Sequence, residues 1–235
     1  MKILSLDSSA IVATVALCED ERLLAEYTLN NGNTHSETLL PMVESVMKLY
    51  GITTDEIDLF AVSSGPGSFT GVRIGAATLK GLAFASDKPC VGVSTLEAIA
   101  ENLVLHRGLI CPVMNARRSQ VYTALFRSDG ERLERLMPDS AISIAELDEA
   151  LASYGEAVCF AGDGYDVTLP ALKKTQAIAV PDRLRHQSAY SVAKVAYRHA
   201  LAGETTTDKG LLVTYLRPSQ AERTYAEKAE QSNGK

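Results

Sequence analysis

A chain of 235 residues with 46% hydrophobic and 22% charged residues can bury one large core or two small ones, and its composition fits no class of disorder. Its net charge of −6 argues against strong independent binding to nucleic acid, which needs clustered Lys and Arg to displace counterions. The opening Met1-Lys2-Ile3-Leu4 meets Asp7 before a signal-length apolar region develops, and nowhere do about 18 apolar residues run uninterrupted, so a cytoplasmic address is expected.

In chain order, alternation and apolar runs predict strands at 3–7, 12–18 and 23–29, a helix from His35, a strand at 59–63, a helix from Phe69 and a strand at 90–93. Thr34 with Glu37, and Ser94 with Glu97, have the Ser/Thr-x-x-Glu spacing of a capping box at a helix start. Leu39, Val43, Val46, Met47 and Tyr50 recur at helical spacing, and Gly51 supplies a stop. Pro41 would remove an internal hydrogen bond of that helix, which predicts either a kink or a start nearer Thr38.

The second half repeats the order, with strands at 109–114 and 121–126, a weaker one around 133–137, and a helix capped by Ser143 through Glu146. A strand at 157–161, the glycine turn Gly162-Asp163-Gly164, a short helix over 165–172, a strand at 177–180 and a helix near 191–201 follow. The halves share little identity, so the repeat is one of structure. Lobes are expected over 1–105 and 106–217, with the last helix free to pack back on the first lobe and a frayed tail over 218–235 where apolar residues run out.

Cys18, Cys90, Cys111 and Cys159 lie far apart in apolar runs, which predicts reduced core thiols. His35, His106, His186 and His199 offer no i, i+4 pair, so neither a metal nor another cofactor is expected. Arg117-Arg118 and the Arg183-Leu184-Arg185-His186 run are the compact basic spots, and both read as solvated surface.

The most informative stretch is Gly65-Pro66-Gly67-Ser68-Phe69-Thr70-Gly71-Val72-Arg73-Ile74-Gly75, between a strand and a helix. Glycine at a strand's carboxyl end allows a sharp turn and exposes N–H groups at the next helix start. Gly65-x-Gly67-x-x-Thr70 lacks the third glycine of a dinucleotide turn, and no Gly-Lys-Ser/Thr follows to make a P-loop. Ser68 is expected to shape the turn and cap the helix. Gly71 and Gly75 continue into the helix at about 1 kcal/mol each in lost propensity, a cost that implies close packing. Gly71, Gly75, Thr78, Leu82 and Ala85 share one face, and periodicity alone leaves open whether it packs inside its own lobe or receives another helix.

Leu4-Ser5-Leu6-Asp7-Ser8-Ser9, Thr34-His35-Ser36-Glu37-Thr38-Leu39-Leu40-Pro41, the glycine stretch, Val93-Ser94-Thr95-Leu96-Glu97-Ala98, Asn115-Ala116-Arg117-Arg118 and Tyr215-Leu216-Arg217 resemble, in that order, the bacterial TsaB proteins over nearly the whole chain. The resemblance implies an α/β, two-lobed actin/sugar kinase/Hsp70-like fold with duplicated βββαβα lobes. It implies a subunit that supports TsaD in making threonylcarbamoyladenosine on tRNA, with the ATPase TsaE as a further partner, tRNA met through the complex, and a homodimer when alone. It also implies that the first-lobe helices form the pairing surface, through His35, Leu39, Val43, Met47, Gly71, Gly75, Thr78 and Leu82.

Catalytic relatives hold metal and phosphates between two acidic hairpins. Here the corresponding residues would form a vestigial nucleotide cleft of Asp7, Ser8, Asn115 and Arg117, beside the glycine turn of Gly65, Gly67 and Ser68. Asn115 departs from the Asp-Ala-Arg that most TsaB proteins resemble, and an amide lacks the anionic oxygen a hard cation prefers. Asp7 could equally bind turn amides. TsaD carries a metal-binding His-x-x-x-His pair in the passage that reads Thr95-Leu96-Glu97-Ala98-Ile99 here, and Ile99 has no donor atom. A non-catalytic scaffold is therefore expected. The alternatives are a small-molecule kinase or ATPase of the same fold, which needs both acidic hairpins, and a peptidase acting on TsaD, which needs Ser64 or Ser68 paired with a base such as His35.

Overall fold

The computed structural model of the chain describes residues 1–32 and 34–217; the tail expected to fray over 218–235 lies outside the described residues. The elements are β1 (Lys2–Asp7), β2 (Ala13–Glu19), β3 (Arg22–Leu29), α1 (His35–Tyr50), β4 (Leu59–Gly65), α2 (Phe69–Ser86), β5 (Cys90–Ser94) and α3 (Thr95–Glu101). There follow β6 (Gly108–Asn115), β7 (Gln120–Ser128), β8 (Leu133–Ser143), α4 (Ile144–Ala152), β9 (Val158–Ala161), α5 (Tyr165–Thr168), β10 (Ala177–Ile178) and α6 (Ala189–Leu201).

Among the described residues these strands form two five-stranded sheets, ordered β3-β2-β1-β4-β5 and β10-β9-β6-β7-β8. Read from the opposite edge, the second order is β8-β7-β6-β9-β10, the plan of the first with each strand replaced by its counterpart. In both, the first strand pairs antiparallel with the second and parallel with the fourth, β1 with β4 and β6 with β9. The architecture is thus the duplicated two-lobed α/β plan that the sequence implies.

Central strands buried on both faces need near-continuous apolar sequence, and successive side chains divide between the faces. Leu4, Leu6, Phe60 and Val62 enter the core beneath α1 and α2, while Ile3, Leu59 and Ala61 enter the one beneath α6. In the second sheet Leu109, Cys111 and Val113 meet α4, whereas Ile110 and Met114 face the cluster that contains α3. Helix α3 joins the lobes, with Ala98 in the first-lobe cluster and Leu96, Ile99 and Ala100 in the second. Helix α6 follows the second lobe in sequence yet packs Ala189, Val192, Ala193, Val195 and Ala196 on the first sheet. The buried Glu101 fastens α3 to it through Lys194 at 2.6 Å and Arg198 at 2.7 Å.

Several local expectations are corrected. Helix α1 does start at His35 and runs through Pro41, so of the two outcomes expected at that proline the later start nearer Thr38 is not taken. Thr34 caps it through its carbonyl, which accepts from Glu37 N at 3.0 Å, and not through its side chain. Ser94 does accept from Glu97 N, but the Glu97 carboxylate turns away to Arg135 at 2.9 Å, so this box is half made. The Ser143–Glu146 box is complete. All four thiols are free and buried, and burial pushes Cys18 and Cys111 up to about 12. Among the described residues no helix is long and apolar enough to cross a membrane.

The expected pairing surface needs the largest correction. Leu39, Val43 and Met47 are buried in the first-lobe core, because the face of α1 that carries them lies on the sheet. Gly71 and Gly75 are buried too, so their small size serves the lobe's own packing. Thr78 and His35 are half-buried, and Leu82 packs its partly buried side chain against the same core.

Candidate functional site

The first wall of the inter-lobe cleft is built on Asp7 at the end of β1. Its Oδ1 accepts from Ser9 N at 2.8 Å and Ser9 Oγ at 2.7 Å, and its Oδ2 accepts from the Ser63 hydroxyl at the end of β4. Asp7 therefore fixes the β1–β2 turn, the turn-amide role its sequence position allowed. Burial pushes its carboxyl above the ordinary carboxylate range, against the Ser63 and Ser9 hydrogen bonds, which favour the charged form.

That turn is docked on the glycine stretch. Ser68 N donates to Ser9 O at 2.7 Å, and Ser8 Oγ donates to Gly71 O at 2.9 Å. A Cβ at Gly71 would stand 2.1 Å from Ser8 O, at Gly67 2.5 Å from Ser9 O, and at Gly75 2.7 Å from Ser8 Oγ. The glycines are thus explained by close approach of the β1–β2 turn. Ser68 also accepts from Gly71 N at 3.3 Å, the expected cap.

The second wall repeats the plan with different chemistry. At the end of β6, Asn115 Oδ1 accepts from Arg117 N at 2.8 Å, and Asn115 N donates to Asp163 Oδ1 at 3.3 Å. Asp163 sits between two glycines that lie tight on β6: Gly164 N donates to Val113 O at 3.0 Å, and a Cβ at Gly162 would meet the same oxygen at 2.1 Å. Burial raises the Asp163 carboxyl, and the negative charge of Asp7 contributes in the same direction. After Asn115 the chain turns through three successive left-handed residues, Arg117, Arg118 and Ser119, with φ of 62°, 54° and 56° and no glycine among them.

A third part is a strap of residues 211–217, which sequence reasoning did not place. Leu211 is buried in the first-lobe core, Thr214 N donates to Ser64 O at 2.8 Å, and a Cβ at Gly65 would lie 2.3 Å from Thr214 O. Beyond it Arg217 Nη1 donates to Ala116 O at 2.9 Å in the second lobe. The walls and strap enclose a cleft of about 640 Å³.

Asn115 and Arg117 line this cleft, as do Gly67 and Ser68. Asp7 and Ser8 do not; they brace its wall from behind, and Asp163 takes the forward acidic place. The signal for Asp163 was present as an acidic residue between two glycines at a strand end. The hydrolase constellation is not assembled: His35 Nε2 contacts Ala10 O at 2.6 Å, Ser64 Oγ donates to Val93 O at 3.2 Å, and Ser68 serves the helix cap. Among the described residues no group of three His, Cys, Asp or Glu is placed to hold a metal ion.

Residues 22–224 match the family model described as TsaD, tRNA N6-adenosine threonylcarbamoyltransferase. The chain is 36% identical over 162 residues to the tRNA threonylcarbamoyladenosine biosynthesis protein TsaB of Bacillus subtilis, covering 69% of this chain and 71% of that one. To the protein of the same name from Escherichia coli it is 35% identical over 131 residues, 55% of this chain and 56% of that one. The fold superposes on a crystal structure from Pseudomonas aeruginosa, of a protein with similarity to the peptidase YeaZ, with a TM-score of 0.78 at 26% identity, covering 92% of this chain and 99% of that one.

Proposed function

The chain belongs to the TsaB family of tRNA threonylcarbamoyladenosine biosynthesis proteins, and on that premise we propose that it is a non-catalytic subunit that pairs with the transferase TsaD and organises its assembly. TsaE is the further partner, tRNA is met within the complex in the cytoplasm, and two copies pair through the same surface when TsaD is absent.

The observation that carries the reading is the closure of the first lobe's glycine turn. In a nucleotide-hydrolysing site, turn amides and a strand-end carboxylate face phosphates and metal. Here Ser68 N and Gly71 N are spent on Ser9 O and Ser68 Oγ, Asp7 is spent on Ser9 and Ser63, and Thr214 O rests on Gly65. Across the cleft Asn115 supplies an amide whose oxygen already accepts from Arg117 N. These commitments support a structural use of the hairpins.

The pairing surface then consists of what α1 and α2 leave in solvent. Leu40 on α1 is 46% exposed and Phe84 on α2 is 72% exposed, with Ala77 and Gly81 exposed on the same helix as Phe84. His35, Thr78 and Leu82 border it. Two adjacent helices with small and apolar residues outward suit close helix–helix packing.

The experiment is reconstitution of threonylcarbamoyladenosine formation on a tRNA transcript from TsaD and TsaE of the same organism, with and without this chain. Calorimetry of the isolated chain with ATP and Mg²⁺ accompanies it. Stimulation without a stoichiometric micromolar nucleotide site is expected. A modification rate indifferent to the chain, or a tight ATP site with turnover, would overturn the reading.

A further inference from the structure

We propose that a basic track across the cleft mouth binds the phosphate backbone of an RNA strand directly. The inter-lobe cleft and a second cavity of about 840 Å³ on the second lobe adjoin at Asn115 and Arg117, which line both. Its cations converge from segments far apart in sequence: Arg117 and Arg118 from the β6–β7 turn, Lys173 and Lys174 from the loop after α5, Arg217 from the strap, with Arg73 of α2 held against that strap by Tyr215. In a chain of net charge −6 this convergence is local, so it would fix the register of a polyanion while the remaining surface repels it.

Two of the charges are held in place by neutral partners. Arg73 donates to the Tyr215 hydroxyl and stacks on Phe69, and Arg217 donates to a carbonyl. Of the two carboxylates in the second cavity, Asp148 is occupied by the backbone amides of residues 173, 174 and 175, and Glu149 pairs with Lys174. The Arg117-Arg118 turn is maintained in a left-handed conformation that costs an L-residue about 1–2 kcal/mol at each position, and such local strain concentrates at functional sites. The exposed Tyr215 in the cleft lining, backed by Phe69, offers a ring on which an unpaired base can stack, the combination of basic groove and aromatic platform that single-stranded RNA uses.

The identity of the RNA as tRNA rests on the reading of the chain as part of a tRNA-modifying assembly. The test uses the chain alone, so its failure is distinguishable from a failure of pairing with TsaD. A fluorescein-labelled, unmodified tRNA transcript is titrated with full-length protein, and anisotropy is read at about 50 and about 200 mM KCl. Saturable, salt-weakened binding is expected, reduced roughly tenfold or more by R117E/R118E and by K173E. Each lost phosphate contact should lower the log–log salt slope by about 0.7. Arg117→Lys should retain binding, and Lys48→Glu, on the exposed side of α1, should leave it within about twofold. Thermal melts establish that the variants fold, and Arg217→Ala carries the test if the double variant does not. Absence of binding at about 100 µM protein, reversals no more harmful than Lys48→Glu, or displacement of the transcript by millimolar inorganic phosphate as readily as by unlabelled RNA would overturn the proposal.

Discussion

Arg73 Nε, in the first turns of α2, donates to the Tyr215 hydroxyl at 2.6 Å across 142 positions of sequence. The same guanidinium lies 3.7 Å over the Phe69 ring, whose centroid is 4.9 Å from that of Tyr215. The strap is therefore clamped by side chains beside its backbone bond from Thr214 N to Ser64 O. A cation over an aromatic face contributes about 0.5–1 kcal/mol at an exposed site, and a hydrogen bond about 1 kcal/mol.

Arg73→Ala should thus loosen the strap without unfolding the lobe. Amide exchange at Thr214 is expected to accelerate by roughly tenfold, the equivalent of about 1.4 kcal/mol of local opening, while β4 and β1 stay protected. Unchanged exchange at Thr214 would mean that the backbone bond and the burial of Leu211 hold the strap without the clamp.

The buried Asp7 sets a pH dependence. Its folded-state value is raised, so the folded chain holds the proton more tightly than the unfolded chain, and the stability this contributes is present below the unfolded value near 3.8 and lost as pH rises through the folded value. Asp7→Asn keeps the shape and an acceptor for Ser9 but removes the ionisation. The variant should gain on the wild type as pH rises from about 4 towards 7, when followed by urea denaturation. It should also bring the Asp163 carboxyl towards its ordinary value, since the Asp7 charge helps to raise it. A stability gap that stays flat across this range would show that Asp7 ionises in the folded chain as freely as in the unfolded one.

Glycines of one helix should respond in opposite senses. At Gly71 a methyl meets the Ser8 carbonyl oxygen at 2.1 Å, a backbone atom that cannot swing away, so Gly71→Ala should destabilise by about 1–3 kcal/mol or more. Gly81 has nothing within 4 Å of an added Cβ, and Gly81→Ala should stabilise by roughly 0.5–1 kcal/mol through helix propensity. For a chain of this size each kcal/mol moves the melting midpoint by about 2–4 °C. Equal losses at both positions would contradict this account of the glycine stretch.

The succession of elements along the chain and the duplication were legible because β1, β4, β6 and β9 are buried on both faces and announce themselves as apolar runs. Ser143 and Glu146 marked a helix start correctly because both side chains are free to turn to the backbone, whereas Arg135 competes for Glu97 and wins. The orientation of α1 was not legible, since periodicity gives an apolar face without saying what covers it, and the sheet covers Leu39, Val43 and Met47. At the cleft, Asp7, Asn115 and the glycines could be found from strand ends. The strap could not, because Thr214 reaches Gly65 only through tertiary packing that no local signal encodes.

The exposed face of α1 and α2 yields the prediction on pairing. A substitution at Gly75 cannot test it, because a side chain there would strike Ser8 Oγ at 2.7 Å and Val62 at 3.2 Å inside the lobe, so the loss would be one of folding. Phe84 is the better position: its ring is 72% exposed, and burying such a ring against a partner contributes about 1.5–3 kcal/mol while leaving the free subunit unaffected. Phe84→Glu should therefore lower affinity for TsaD, and for a second copy, by tenfold or more, since each 1.4 kcal/mol is a factor of ten. Its melting midpoint should stay within a degree or two of the wild type, as the ring supports nothing within its own lobe. Leu201→Glu is the control, equally apolar and 67% exposed but at the end of α6, which packs on the other face of the first sheet. Sedimentation of each variant alone and mixed with TsaD reads both effects. If Phe84→Glu associates as the wild type does while Leu201→Glu fails, the pairing surface lies on the α6 side and the α1–α2 assignment must be given up.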